Sequence, residues 1–130
     1  MNQTFKKEER LRSKILIKKL FDEGEKCNYY PLRIIFLKCS LPSKSPAQLL
    51  ISVPRSLYRK AVDRNRIKRL IREAYRKNKY LFYEPLEENH VQMLLCIQYT
   101  SKVILSFQMI QEKIIVLLQR LKEKNAEITE

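Results

Sequence analysis

Residues 55–79 hold eleven Lys and Arg against two Asp and Glu, nine of the +13 net charges of this 130-residue chain. The same stretch carries apolar residues at helical spacing, and the two facts together restrict the fold more than any other feature. Wound at about 100° per residue, Ile67, Leu70, Ile71 and Ala74 fall within one arc of roughly 100°. Arg64, Asn65, Lys68, Arg69, Arg72 and Arg76 fill an adjoining arc of roughly 140°. The spacing predicts a helix from Asp63, as its N-cap, to about Asn78. One side of it packs on a core and the other presents cations.

Those cations are arranged against stability. Arg64, Lys68, Arg72 and Arg76 form an uninterrupted i, i+4 ladder, in which each like-charge pair costs a few tenths of a kcal/mol. An ordinary solvated helix face mixes signs. A phosphate backbone would remove the repulsion and release counterions, and arginine suits bidentate phosphate contact better than lysine. A polyanion is therefore the expected partner, with nucleic acid ahead of an anionic membrane surface.

The rest of the chain supplies the scaffold for that helix. Residues 1–9 are polar and read as a flexible N-terminal extension, or an arm that orders on RNA. Residues 12–23 have helical periodicity, with Leu11, Ile15, Leu16 and Leu20 near one stripe and Ile17 beside Phe21 as an i, i+4 pair. Gly24 is expected to stop this helix in a left-handed conformation. Residues 29–39 read as a strand, 41–46 as a turn and 48–53 as a second strand, the two forming a hairpin. Residues 55–60 are a basic loop, and 84–89 read as an acidic linker. Residues 91–99 have the near-continuous apolar run of a central strand. An amphipathic helix closes the chain over 107–124, with Ile110, Ile114, Leu117, Leu118 and Leu121 on one stripe and the tail from 125 fraying. The order helix–strands–helix–strand–helix implies an α+β fold: a two-layer sandwich on a small mixed sheet of about four strands, as one RNA-binding domain over 10–124.

Other chemistries find little in the sequence. One glycine in the whole chain argues against glycine-rich phosphate loops. Cys27, Cys39 and Cys96 are odd in number with no CxxC pair, so reduced core thiols in a cytoplasmic protein are expected. No apolar run approaches the ~18–20 residues of a membrane span, and residues 1–12 lack the apolar stretch of a signal peptide. His90, the only histidine, lies in an acidic stretch without ligand-spaced neighbours. Asp63 and Glu73 are the only acids in the basic segment, and they read as a cap and an intrahelical partner for Arg69, Arg76 or Lys77. They are not the carboxylate pair a two-metal nuclease requires. No catalytic or metal-ligating residue is expected in the protein.

Arg64-Asn65-Arg66 followed by Ile67-Lys68-Arg69-Leu70-Ile71-Arg72-Glu73 resembles the RNR motif of the bacterial ribonuclease P protein family, and Ala61 and Arg76 match the same pattern. Arg10-Leu11-Arg12, Phe21 and Gly24 resemble the family's first helix and its turn, so the likeness spans most of residues 10–122. Three positions depart from the pattern: Ile17 stands for an aromatic, the loop at 56–60 lacks a glycine, and Ile97-Gln98-Tyr99 lacks a following basic residue. The resemblance implies a ribosomal-protein-S5-domain-2-like fold and a non-catalytic subunit of a cytoplasmic ribonucleoprotein that removes the 5′ leader of precursor tRNA. It implies an RNA face of Arg55, Lys60, Arg64, Asn65, Arg66, Lys68, Arg69, Arg72 and Arg76. It also implies a leader cleft with Ile17, Phe21, Ile34 and Phe36 as candidates, though core packing explains those four equally well. The implied partners are the catalytic RNA, with one protein monomer per RNA, and precursor tRNA; magnesium would be held by the RNA.

Three rivals remain at this point. A ribosomal or other structural RNA-binding protein shares the composition. A helix-turn-helix DNA binder would need a helix just before residue 61, where a strand is expected. A stand-alone nuclease would cleave with metal and no RNA subunit.

Overall fold

Alternation along residues 32–38 decides the architecture. Leu32, Ile34 and Phe36 lie on one side of a strand and Ile35 on the other, and all four are buried. Such a strand needs a packed layer on each face. The computed structural model describes residues 4–128 and supplies both layers. Its elements are α1 (Lys14–Glu23), β1 (Glu25–Tyr29), β2 (Leu32–Lys38), β3 (Ala47–Ser52), α2 (Ala61–Asn78), α3 (Tyr80–Glu88), β4 (Met93–Tyr99) and α4 (Phe107–Ile128). Helices α2, α3 and α4 share a core with Leu32, Ile34, Phe36, Leu49, Leu95 and Ile97 on one face of the sheet. Helix α1 packs on the other face, where Leu20 meets Ile35, Leu94 and Cys96. The fold is α+β on a mixed four-stranded sheet, ordered β1-β2-β4-β3.

The expected hairpin between the second and third strands is not formed. β4 lies between them, antiparallel to β2 and parallel to β3. A parallel neighbour needs a long crossover, which α2 and α3 provide between β3 and β4. The connection from β2 to β3 therefore passes the start of β4, and Gln92 holds it there. Its side chain accepts from the Leu41 amide at 2.9 Å and donates to the Ser43 and Ser45 carbonyls at 2.7 and 2.9 Å.

The hairpin that does exist joins β1 to β2 through Tyr30 and Pro31, whose peptide bond is cis. Only the last residue of β1 fell within the strand expected over 29–39, because Glu25, Lys26 and Asn28 give it no apolar alternation. Charged residues of this kind suit an edge strand.

Helix α1 starts after Ser13, whose Oγ accepts from the Leu16 amide at 3.3 Å. Leu11 and Leu20 are buried as expected, but Ile15 is 81% exposed and off the buried stripe. Gly24 is not left-handed: its φ is −71° and its ψ 153°. Glycine is required there by close approach instead, since a Cβ would lie 2.5 Å from the Leu20 carbonyl oxygen and 2.8 Å from Ile35 Cγ2.

Helix α2 begins at Ala61 with Lys60 as its N-cap residue, and no side chain caps it. Asp63 is thus an acid inside the first turn, favourable to the helix dipole, rather than the cap. The acidic stretch expected as a linker belongs to α3, which follows α2 with only Lys79 between them. Phe82 and Tyr83 draw α3 into the core, meeting Tyr75 edge-on at 6.1 and 6.2 Å. The left-handed helix stop lies after this helix. His90 has φ 55°, its amide donates to the Glu87 carbonyl at 3.2 Å, and the Val91 amide donates to the Leu86 carbonyl at 2.9 Å.

Where a flexible extension through residue 9 was expected, residues 5–11 are docked along the domain. Phe5 meets Tyr75 edge-on at 5.9 Å, and Arg10 forms a parallel bridge with Leu49 that covers the free edge of β3. Glu9 is buried and paired with buried Lys79 at 2.7 Å, and Tyr83 Oη donates to the same carboxylate at 3.2 Å. At the other end α4 continues past the expected fraying point, to Ile128. Its five predicted stripe residues are all buried.

Candidate nucleic-acid interface

Packing orients the basic face of α2. Ile67, Ile71, Ala74 and Tyr75 are fully buried against the sheet and α4. Burial of each isoleucine contributes on the order of 2 kcal/mol, several times the cost of one like-charge pair in the cation ladder. The apolar side therefore fixes the helix and the cations follow outward. Asn65, Arg66 and Arg69 are exposed, and Arg64, Lys68, Arg72 and Arg76 are half-buried. Asn65, Lys68, Arg69 and Arg72 line an open depression of about 460 Å³ together with Val62, which is 75% exposed.

The ladder is not uniform. At its start, the Arg64 guanidinium donates to the carbonyls of Tyr58 and Arg59 at 2.9 and 2.7 Å, which fastens the basic loop to the helix. At its end, Arg76 donates to both Glu73 oxygens, at 3.1 and 2.5 Å. The hydrogen bond from Arg76 holds the Glu73 carboxyl below the ordinary glutamate value. Between these ends, no acid among the described residues pairs with Arg66, Lys68, Arg69 or Arg72. The centre of the face is where unneutralised charge collects.

The loop before α2 extends this surface. Its backbone turns on Pro54, whose carbonyl accepts from the Leu57 and Tyr58 amides at 3.1 Å. Tyr58 is buried, and its hydroxyl donates to the Ser101 carbonyl at 2.8 Å. Arg55, Arg59 and Lys60 are left exposed. Arg59 and Val62 were not singled out from the sequence, although the run of cations around position 59 marks the first. No pattern marks an isolated valine.

The four cleft candidates do not line one cleft. Ile34 and Phe36 are buried on the α2–α4 side, at the floor of a cavity of about 240 Å³ with Cys27, Tyr29, Leu117 and Arg120 at its walls. Ile17 and Phe21 are half-buried on the opposite face, with Leu20 and Ile35. Strand parity separates them, because positions 34 and 36 cannot share a face with 35.

The α1 side of the sheet offers a different feature. Strand register places Asn28 opposite Arg33, Arg33 opposite Gln98, and Gln98 opposite Ser52. Each has the parity of Ile35, Cys96 or Leu50, so the four form a polar row across all strands on the face that α1 covers only in part. Asn28 is exposed and the other three are half-buried. A polar residue at alternate strand positions, as at Arg33, was the available signal for this row.

No group of three or more His, Cys, Asp or Glu that could hold a metal ion occurs among the described residues. Asp63 and Glu73 lie at different points along α2, and Glu73 is engaged by Arg76, so these donors do not make a two-metal site. No helix among the described residues is long and apolar enough to cross a membrane.

With this geometry in place, comparison with known proteins is direct. The family profile named Ribonuclease P matches residues 5–122. The ribonuclease P protein component of Porphyromonas gingivalis is 35% identical over 105 residues, covering 81% of this chain and 77% of that protein. That of Chlorobium phaeobacteroides is 32% identical over 129 residues, covering 92% and 88%. The solved ribonuclease P protein of Thermotoga maritima superposes with a TM-score of 0.69 at 26% identity, over 86% of this chain and 96% of that one.

Proposed function

The chain belongs to the ribonuclease P protein family and is the protein subunit of that tRNA-processing ribonucleoprotein; from this premise we propose that the α2 face docks on the RNA subunit while the α1 side of the sheet receives the 5′ leader of precursor tRNA. The observation that carries the reading is the cation cluster of Arg66, Lys68, Arg69 and Arg72, paired with no acid among the described residues and fixed outward by the buried side of the same helix. Arg55, Lys60, Asn65, Arg64 and Arg76 complete the RNA face, the last two with part of their donor capacity already spent on Tyr58, Arg59 and Glu73.

Neutralising RNA phosphates releases counterions and lowers repulsion between the catalytic RNA and its substrate. The protein's part is binding and positioning; the phosphodiester chemistry and its magnesium belong to the RNA. Leader recognition falls to the polar row Asn28, Arg33, Gln98 and Ser52, on the same face of the sheet as Phe21 and Ile17 of α1. A half-buried aromatic can hold a single strand with little demand on sequence. Ile34 and Phe36 are core residues in this reading. One protein then serves one RNA, using two different surfaces for its two partners.

The test is reconstitution. The wild-type protein is expected to restore cleavage of precursor tRNA by a bacterial ribonuclease P RNA at low magnesium, and a Lys68→Ala/Arg69→Ala/Arg72→Ala variant to lose that rescue at equal protein concentration. Full rescue by the folded triple variant would remove α2 from the RNA interface. Cleavage by the protein without RNA would place catalysis in the protein instead.

A further inference from the structure

We propose that Tyr30 is a fixed stacking platform for an unpaired nucleotide, placed where the α2 surface and the polar row of the sheet meet. The proposal rests on the RNA-binding reading above and adds a residue and a mode of contact that electrostatics does not supply. Tyr30 is 65% exposed, yet it is held: its hydroxyl donates to Ser101 Oγ at 2.9 Å, and Ser101 is itself buried. Ser101 is a hub. Its Oγ also accepts from the Val103 amide at 3.1 Å, and its carbonyl accepts from the buried Tyr58 hydroxyl at 2.8 Å. Tyr58 and Arg59 in turn offer their carbonyls to Arg64 of α2. A continuous set of hydrogen bonds thus joins the exposed ring to the first turn of the basic helix.

The turn that carries Tyr30 lies at the end of the sheet nearest the polar row. Tyr30 sits in the turn between Asn28 and Arg33, and Ser101 follows Gln98 closely in the chain. Exposed cations are at hand on the same loops, with Lys102 next to Ser101 and Arg59 next to Tyr58. An aromatic ring whose polar end is already satisfied, whose body is open and whose loops carry cations presents a surface for a base with its phosphate nearby. A mobile surface tyrosine would lose rotamer freedom on binding; this one has lost most of it already.

Stacking and charge respond differently to salt, and the experiment uses that difference. Affinity for ribonuclease P RNA is measured against salt for wild type, Tyr30→Ala and Tyr30→Phe, first with the RNA alone and then with precursor tRNA added. Tyr30→Ala is expected to weaken binding about tenfold with the salt slope unchanged, and Tyr30→Phe to stay within about threefold of wild type. Loss with RNA alone assigns the nucleotide to the catalytic RNA; loss only with precursor tRNA assigns it to the leader. Because the chain has no tryptophan, Tyr30→Trp adds an unambiguous reporter whose emission is expected to be quenched in whichever complex carries the stack. Wild-type affinity for Tyr30→Ala together with unquenched Tyr30→Trp emission in both complexes overturns the proposal, while leaving the α2 interface intact. If the wild-type protein itself fails to bind the RNA, the underlying reading falls instead.

Discussion

The left-handed helix stop that the sequence places at Gly24 is found at His90 instead, and both positions can be tested. Gly24, directly after a helix, reads as a left-handed stop, whereas it has ordinary extended geometry and is needed for lack of a Cβ. His90 reads as a plain surface histidine and is exposed, and its backbone also occupies the left-handed position that closes α3. Sequence patterns register that a helix ends near a glycine; they do not register which carbonyl or methyl lies against its Cα. Substituting Gly24→Ala is expected to destabilise the protein by about 1–3 kcal/mol, because backbone and a buried isoleucine must both shift. The reverse kind of change, His90→Gly, is expected to raise stability by about 0.5–1 kcal/mol, since a left-handed residue with a side chain carries a steric cost that glycine lacks. Urea unfolding of both variants measures the two signs. A stable Gly24→Ala protein would mean that the close approach is relieved at no cost. The basic residues divide at the same scale: Arg64 and Arg72 fall in one cationic arc of the helical wheel, but among the described residues it is Arg64 that bonds backbone carbonyls.

At the scale of elements, legibility followed the strength of the apolar period. The central strand, α2 and α4 have long unmixed patterns, and the structure places all three as read, to within a few residues. β1 and α3 were missed because their residues are polar or mixed and their positions come from tertiary contacts, Cys27 and Tyr29 on the core for one, Phe82 and Tyr83 for the other. Pairing order was not legible either. Two neighbouring apolar strands with a short loop read as a hairpin, and nothing local announces that a third strand inserts between them. The docked N-terminus belongs to the same class, since a polar run gives no hint that Glu9 meets Lys79 seventy residues on. That pair supplies an element-level prediction. Both groups are buried, so removing one partner, by Glu9→Leu or by Lys79→Met, strands a charge and is expected to cost about 3 kcal/mol. The double change Glu9→Leu/Lys79→Met removes both charges and is expected to regain most of that loss. A denaturation cycle over the single and double variants reads the coupling; additive losses would show that the contact of residues 4–11 with α3 does not depend on the ion pair.

For the molecule as a whole, the sheet is a partition. Its α2–α4 side carries the larger core, which turns the cation face outward, and its α1 side carries a smaller core around Leu20, Ile35 and Cys96 with a polar row beside it. The charged surface was legible because composition and period both reported it, while the split of the cleft candidates required strand register. Since the two surfaces have opposite demands, stability and binding should also move in opposite directions. In the free protein the cations at the centre of α2 repel one another, with no acid among the described residues pairing with Lys68, Arg69 or Arg72. Replacing Lys68 and Arg72 with glutamine is therefore expected to stabilise the isolated protein by a few tenths of a kcal/mol. The same replacements are expected to weaken RNA binding and to lower the slope of log affinity against log salt by about one and a half to two, close to one released counterion per lost phosphate contact. Thermal unfolding of the free protein and salt-titrated RNA binding measure the two effects on one sample. A variant that loses stability and keeps its salt slope would show that these side chains serve the fold, and the surface for RNA would have to be sought on the loop of Arg55, Arg59 and Lys60.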